Sequence, residues 1–167
     1  SKNVTYQIRK MIQVAIVEDD PEILEALQNL LDGDPEIIVV QSFPNAEKLI
    51  DVFQQLTVDV VLMDIGLPGK NGLQAVAELK PKRPQVQFLM CTVFDDDDNI
   101  FNALCVGATG YMLKNTSAFE LSDAIRIVHN GGSMMSATIA RKVVESFQKR
   151  KVQASEIENL TPKQWEI

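Results

Sequence analysis

Short apolar runs alternate with stretches of helical spacing, and this alternation constrains the fold more than any other feature of the chain. The apolar runs are Ile12–Val17, Ile37–Val40, Val58–Met63, Val86–Met90 and Thr109–Leu113. Between them lie Pro21–Leu31, Ala46–Gln54, Leu73–Leu79, Asp96–Cys105 and Ser117–His129. In Pro21–Leu31 the residues Ile23, Leu24, Leu27, Leu30 and Leu31 share one helical face, and in Ser117–His129 the residues Leu121, Ala124, Ile125 and Val128 form one stripe. Pro21 suits a first helical turn, and Gly131-Gly132 reads as a helix stop. Five strand–helix repeats predict an α/β fold: a parallel sheet with helices on both faces. Right-handed crossovers restrict it to a few doubly wound topologies.

Bulk properties narrow the function. The 167 residues are enough for one domain plus an appendage, and a hydrophobic content of 46% supports a full core. The net charge of -7 argues against non-specific binding to nucleic acid or to an anionic membrane. No apolar run approaches the roughly 18 residues that span a bilayer. Cys91 and Cys105 both stand among apolar neighbours, which predicts buried, reduced thiols in a cytosolic protein. Residues 1–10 precede Met11, carry no signal-peptide core, and read either as a native arm or as a tag remnant.

Ligands of doubly wound sheets bind beyond the carboxyl ends of the strands. Glu18, Asp19 and Asp20 follow the first strand, Asp64 the third, Thr92 the fourth and Lys114 the fifth. The architecture thus gathers residues far apart in sequence at one edge. It also explains why the apolar run of VVLMDIGLPGKNG, residues 60–72, ends on a carboxylate: Asp64 is presented at the mouth of the sheet. Clustered carboxylates repel one another unless a cation intervenes, and Mg²⁺ suits oxygen ligands while keeping several waters. The plainer reading of Glu18-Asp19-Asp20 is helix capping; Asp64 and Lys114 at matching strand ends favour a metal-centred site. Lys114 would be a fixed ammonium for a phosphoryl group, or a lysine snorkelling at a strand end. Thr92 would offer a hydroxyl, or only strand propensity. Tyr111 is either a strand aromatic or a mobile ring that senses Thr92.

In that order VAIVEDDPEIL, VVLMDIGLPGKNG, LMCTVFDDDD and GATGYMLKNTS resemble the receiver domain of bacterial two-component response regulators, over roughly residues 11–130. The resemblance implies a CheY-like five-stranded sheet of order 2-1-3-4-5. It implies that Asp64 is the phosphoacceptor and that Glu18 and Asp19 are the acidic pair. Mg²⁺ would be held by Asp19, Asp64 and the Gly66 carbonyl, with Glu18 acting through water. Thr92 and Lys114 would bind the phosphoryl group, and Tyr111 would be the switch aromatic. Such a chain is no enzyme toward other molecules; it catalyses only its own phosphorylation and dephosphorylation. The implied donor is a sensor histidine kinase, since the single histidine, His129, falls at a helix C-terminus where a structural role suffices. Two departures stand out. Val93 replaces a frequent alanine and would narrow access to Asp64, and Asn115 replaces a frequent proline after Lys114.

After Gly132 the pattern changes. Residues 131–159 read as a linker, with an amphipathic helix over Ser136–Lys151 and a polar stretch over Val152–Asn159. LTPKQWEI, residues 160–167, resembles the opening of a LuxR-type helix-turn-helix domain, with Thr161 as N-cap and Pro162 at the first helical position. Transcriptional output on DNA would therefore lie in a C-terminal domain and not in this acidic chain. The resemblance also allows a homodimer on phosphorylation.

Three other readings compete with this one. A haloacid-dehalogenase-type phosphohydrolase needs an acid two residues after its nucleophile, where this chain has Gly66. A nucleotide-binding fold needs a glycine-rich loop after the first strand, where this chain has Glu18-Asp19-Asp20. A phosphate-independent interaction module of receiver shape is the alternative, though every expected site residue is in place.

Overall fold

The computed structural model describes residues 2–115 and 117–165. The elements follow in the order α1 (Lys2–Lys10), β1 (Ile12–Val17), α2 (Pro21–Asp32), β2 (Ile37–Phe43), α3 (Ala46–Val52), β3 (Val60–Met63) and α4 (Gly72–Leu79). Then come β4 (Gln87–Thr92), α5 (Asp97–Cys105), β5 (Gly110–Leu113), α6 (Ala118–His129), β6 (Met134–Met135) and α7 (Ala137–Trp165).

All strands pair in parallel, in the order β2-β1-β3-β4-β5-β6. A continuous apolar run is stable only in a strand covered on both faces, and every residue of β3 is buried. Alternate side chains feed two cores. Val17, Val61, Met63, Met90 and Tyr111 pack with Leu49 of α3, Val76 of α4 and Ile100 of α5. Val14, Ile16, Leu62, Cys91 and Met112 pack with Leu31 of α2 and Ile125 of α6. The order reverses across β1, so β1 and β3 lie side by side and their carboxyl ends open one crevice.

Local signals set the helix starts. Asp20 caps α2 by accepting from the amides of Glu22 and Ile23, with Pro21 in the first turn. Asn71 and Gln74 form a capping box on α4, and Ser117 and Glu120 form another on α6. Asp96 caps α5, with Asp97 and Asp98 in its first turn. Gly131, at φ 91°, ends α6.

The structure departs from the sequence reading in the sheet and in the last helix. The sheet has six strands, not five: Met134 and Met135 pair with Gly110 and Tyr111 of β5. A two-residue strand is too short to show a period. Residues 1–10, which read as a native arm or a tag remnant, are helical over Lys2–Lys10, which is compatible with either reading. Finally, α7 runs unbroken through Val152–Asn159, the expected linker, and past Thr161 and Pro162, the expected helix start. Residues 152–159 are polar but contain no glycine or proline, and polarity with helix-forming residues gives a solvated helix rather than a break. Glu166 and Ile167, the last residues of the segment read as the opening of a helix-turn-helix domain, lie outside the described residues.

The amino-terminal part of α7 is seated on the domain. Ile139 is buried among Ile100, Ala103 and Tyr111. Phe147 meets Phe101 of α5 edge-on at 5.7 Å, and the Arg150 guanidinium stacks 3.5 Å from the centre of the Phe101 ring. Lys142 donates to the Asp95 carbonyl at 2.7 Å.

Candidate functional site

Glu18 follows β1 and Asp64 follows β3; both are buried. Lys114, just past β5, reaches across to them. Its Nζ lies 2.6 Å from Glu18 Oε1 and 2.8 Å from Asp64 Oδ2. Asp19 completes the cluster from the solvent side: one oxygen each of Glu18, Asp19 and Asp64 lies within 4.8 Å of the others. The Asp64 Oδ1 accepts from the Gly66 amide at 3.3 Å, and Glu18 Oε2 accepts from the Asp20 amide at 3.3 Å.

Electrostatics follow from this packing. Burial pushes the Glu18 carboxyl above its ordinary value; the Lys114 contact opposes this and the Asp64 charge adds to it. Burial works against the Lys114 ammonium, yet its hydrogen bonds to Asp64 and Glu18 outweigh that and hold its pKa above the ordinary value. One ammonium faces three carboxylates, so the cluster is short of positive charge. Glu18 Oε1 is buried and, apart from the Lys114 ion contact, accepts no well-directed hydrogen bond. An all-oxygen donor set with a charge deficit, an under-satisfied oxygen and one exposed member fits a hard divalent cation that retains water.

Thr92 ends β4, fully buried, and its hydroxyl accepts from the Phe94 amide at 3.5 Å. Tyr111 points into the core, where its hydroxyl donates to the Phe94 carbonyl at 2.6 Å. Val93 is 65% exposed and lines a depression with Asp95, Lys114 and Asn115. The Phe94 ring lies against the loop that follows Asp64: a Cβ added to Gly66 would sit 3.1 Å from it. The peptide between Lys114 and Asn115 is trans. Cys105 is exposed, against expectation, because it falls on the outward face of α5; Cys91 is buried as expected.

Sequence reasoning missed how the loop after Asp64 is built. Gly72 opens α4 so close to the strand end that an added Cβ would lie 2.0 Å from the Asp64 carbonyl oxygen. Its amide donates to the Ile65 carbonyl at 3.0 Å and closes the loop. It also missed Lys142, whose distance in sequence from Asp95 hides their contact.

The model of the response regulator receiver domain matches residues 14–126, more than half of the chain. The chain belongs to the response regulator receiver family. Among curated relatives, this receiver is 30% identical over 138 residues to the transcriptional regulatory protein DegU of Brevibacillus brevis, covering 83% of the chain and 58% of that protein. It is 32% identical over 141 residues to LnrK of Bacillus subtilis strain 168, covering 84% of the chain and 64% of that protein. It therefore spans less than two thirds of either relative. The crystal structure of a LuxR-family two-component response regulator from Aurantimonas sp. SI85-9A1 superposes with a TM-score of 0.76 at 27% identity, over 81% of this receiver and 97% of that chain. Both of those relatives are named as transcriptional regulatory proteins, and among the described residues of this receiver no helix is long and apolar enough to cross a membrane.

Proposed function

We propose that the chain receives a phosphoryl group on Asp64 from a sensor histidine kinase and passes the change to a DNA-binding output elsewhere in a longer protein. The observation that carries this reading is the Lys114 ammonium 2.8 Å from Asp64 Oδ2, beside the buried Glu18 and the exposed Asp19. The carboxylate of Asp64 attacks phosphorus, an O–P bond forms, and the bond to the donor nitrogen breaks with its electron pair leaving on the imidazole. Asp19, Asp64 and the Gly66 carbonyl would hold Mg²⁺, with Glu18 behind them. When bound, Mg²⁺ supplies positive charge against the phosphoryl oxygens. Lys114 then exchanges a carboxylate partner for a phosphoryl oxygen, and Thr92 donates its hydroxyl to another. This chemistry is confined to the chain's own phosphorylation and dephosphorylation.

The output route is supported by the seat of α7 on α5 and on the loop of Phe94 and Asp95. A phosphoryl group that draws Thr92 inward moves that loop, and α7 with it, as a shift between two populations. Residues 160–167 would open a helix-turn-helix domain, whose second helix is what enters a major groove. The test is intact mass after exposure to acetyl phosphate with and without Mg²⁺, in the wild type and in Asp64→Asn. Phosphate-dependent gain lost in the variant is expected; a gain retained by the variant overturns the assignment.

A further inference from the structure

Within the loop between Asp64 and α4 the Leu67 amide donates to the Ile65 carbonyl at 2.9 Å. Three tethers come from α4: the Gly72 amide donates to the Ile65 carbonyl at 3.0 Å, Gln74 accepts from the Asn71 amide at 2.9 Å, and Glu78 holds the Lys70 ammonium at 2.5 Å. One comes from a different element. Glu47, in the first turn of α3, accepts from the Lys70 amide at 2.7 Å. Gly69 turns there at φ 72°, and a Cβ on it would lie 2.7 Å from Glu47 Oε1, so the loop backbone comes down directly onto the carboxylate. The base of that carboxylate is fixed: Ala46 and Leu49 on either side are fully buried, and Asn45 caps the helix.

We propose that Glu47 is a positioning residue for the metal-binding loop, holding from α3 the segment that carries the Gly66 carbonyl. This rests on the reading of Glu18, Asp19, Asp64 and Gly66 as a Mg²⁺ site. The other hydrogen bonds tie the outer half of the loop to α4; among the described residues, the Glu47 hydrogen bond ties it to α3, above Ile65 and Leu67, which are buried in the same core as Ala46 and Leu49. A carboxylate is suited to this, because a charged acceptor binds a backbone amide more strongly than a neutral one. The hydrogen bond from the Lys70 amide also holds the Glu47 carboxyl below its usual range, so it stays ionised near neutrality. Groups that orient a ligand without touching the metal commonly alter affinity by about ten-fold or more. Glu47 is exposed, and we expect Glu47→Ala to raise the half-saturating Mg²⁺ concentration by roughly three- to ten-fold.

The experiment titrates MgCl₂ alone into the full chain, read by calorimetry and by thermal shift, and follows hydrogen exchange at the Lys70 amide without metal. Glu47→Ala should weaken binding and accelerate Lys70 exchange, while Glu47→Gln, which keeps an acceptor oxygen, should restore most of both. Glu47→Asp, too short to reach, serves should the alanine variant fold poorly. Wild-type binding of Mg²⁺ with unchanged half-saturation in Glu47→Ala and Glu47→Asp overturns the Glu47 proposal alone, even if their melting temperatures drop. Absence of Mg²⁺ binding by the wild type overturns both it and the metal-site reading.

Discussion

Tyr111 and Lys142 hold adjacent carbonyls of one loop. Tyr111, from β5, donates to Phe94 at 2.6 Å; Lys142, from α7, donates to Asp95 at 2.7 Å and lies 3.7 Å from the Asp97 carboxylate. The Tyr111 hydroxyl remains a donor at any physiological pH, because burial, followed by the charges of Asp96, Asp95 and Asp64, drives its pKa upward. Tyr111→Phe should cost about 1 kcal/mol. Lys142→Ala should accelerate hydrogen exchange in residues 94–101 and in the start of α7. Because both side chains act on one loop, the double variant should deviate from additivity by at least about 0.5 kcal/mol in urea unfolding. Additive costs would show that the sheet and α7 are not coupled through Phe94 and Asp95.

Glu18 sets a pH dependence with a definite sign. Burial raises its carboxyl pKa above the ordinary 4.5. A group raised in the folded state stabilises the fold below its unfolded value, and that contribution is lost as pH rises through the folded value. Asp19, Asp64 and Lys114 face it, and Lys114 keeps its charge well past this range. Asp96, held low by its hydrogen bond from the Asn99 side chain, shifts the opposite way, so a difference measurement is needed. In chelator, Glu18→Gln should gain stability over the wild type as pH climbs from about 4.5 to neutrality. A constant difference between the two melting curves would contradict the burial of a charged Glu18.

Gly72 tests the loop geometry. With backbone 2.0 Å from its added Cβ, alanine cannot be accommodated by a side-chain movement. Gly72→Ala should displace Asp64 or α4 and cost about 3 kcal/mol. Urea unfolding checks this; a loss within experimental error would mean that the approach to the Asp64 carbonyl relaxes freely.

The two cysteines should differ sharply. Burial pushes the Cys91 thiol up to about 12, so almost no thiolate exists near neutrality, whereas Cys105 is exposed. Native protein should take up maleimide quickly at one position, and Cys105→Ser should abolish that phase. Two equally fast sites would contradict the burial of Cys91.

Much of this was legible because period and position carry it. The apolar runs place β1, β3, β4 and β5 within two residues, and the order of strands brings Glu18, Asp19, Asp64 and Lys114 together without reference to any contact. What failed to show was of three kinds. Met134–Met135 and Cys105 turn on fine placement that neither period nor neighbouring polarity resolves. Glu47, Phe94 and Lys142 act through backbone amides and carbonyls, and a side chain's backbone partner leaves no mark on the partner's identity. The continuity of α7 through residues 152–159 was hidden for a third reason: polarity was read as a linker where helix propensity decided.

The central claim is that Asp64 is the phosphoacceptor of a Mg²⁺-dependent site. Intact mass after exposure to acetyl phosphate measures it directly. The account predicts a gain of one phosphoryl group in the wild type with Mg²⁺, little or none with chelator, and none in Asp64→Asn under either condition. Equal gain in Asp64→Asn, or a wild-type gain indifferent to chelator, would contradict it.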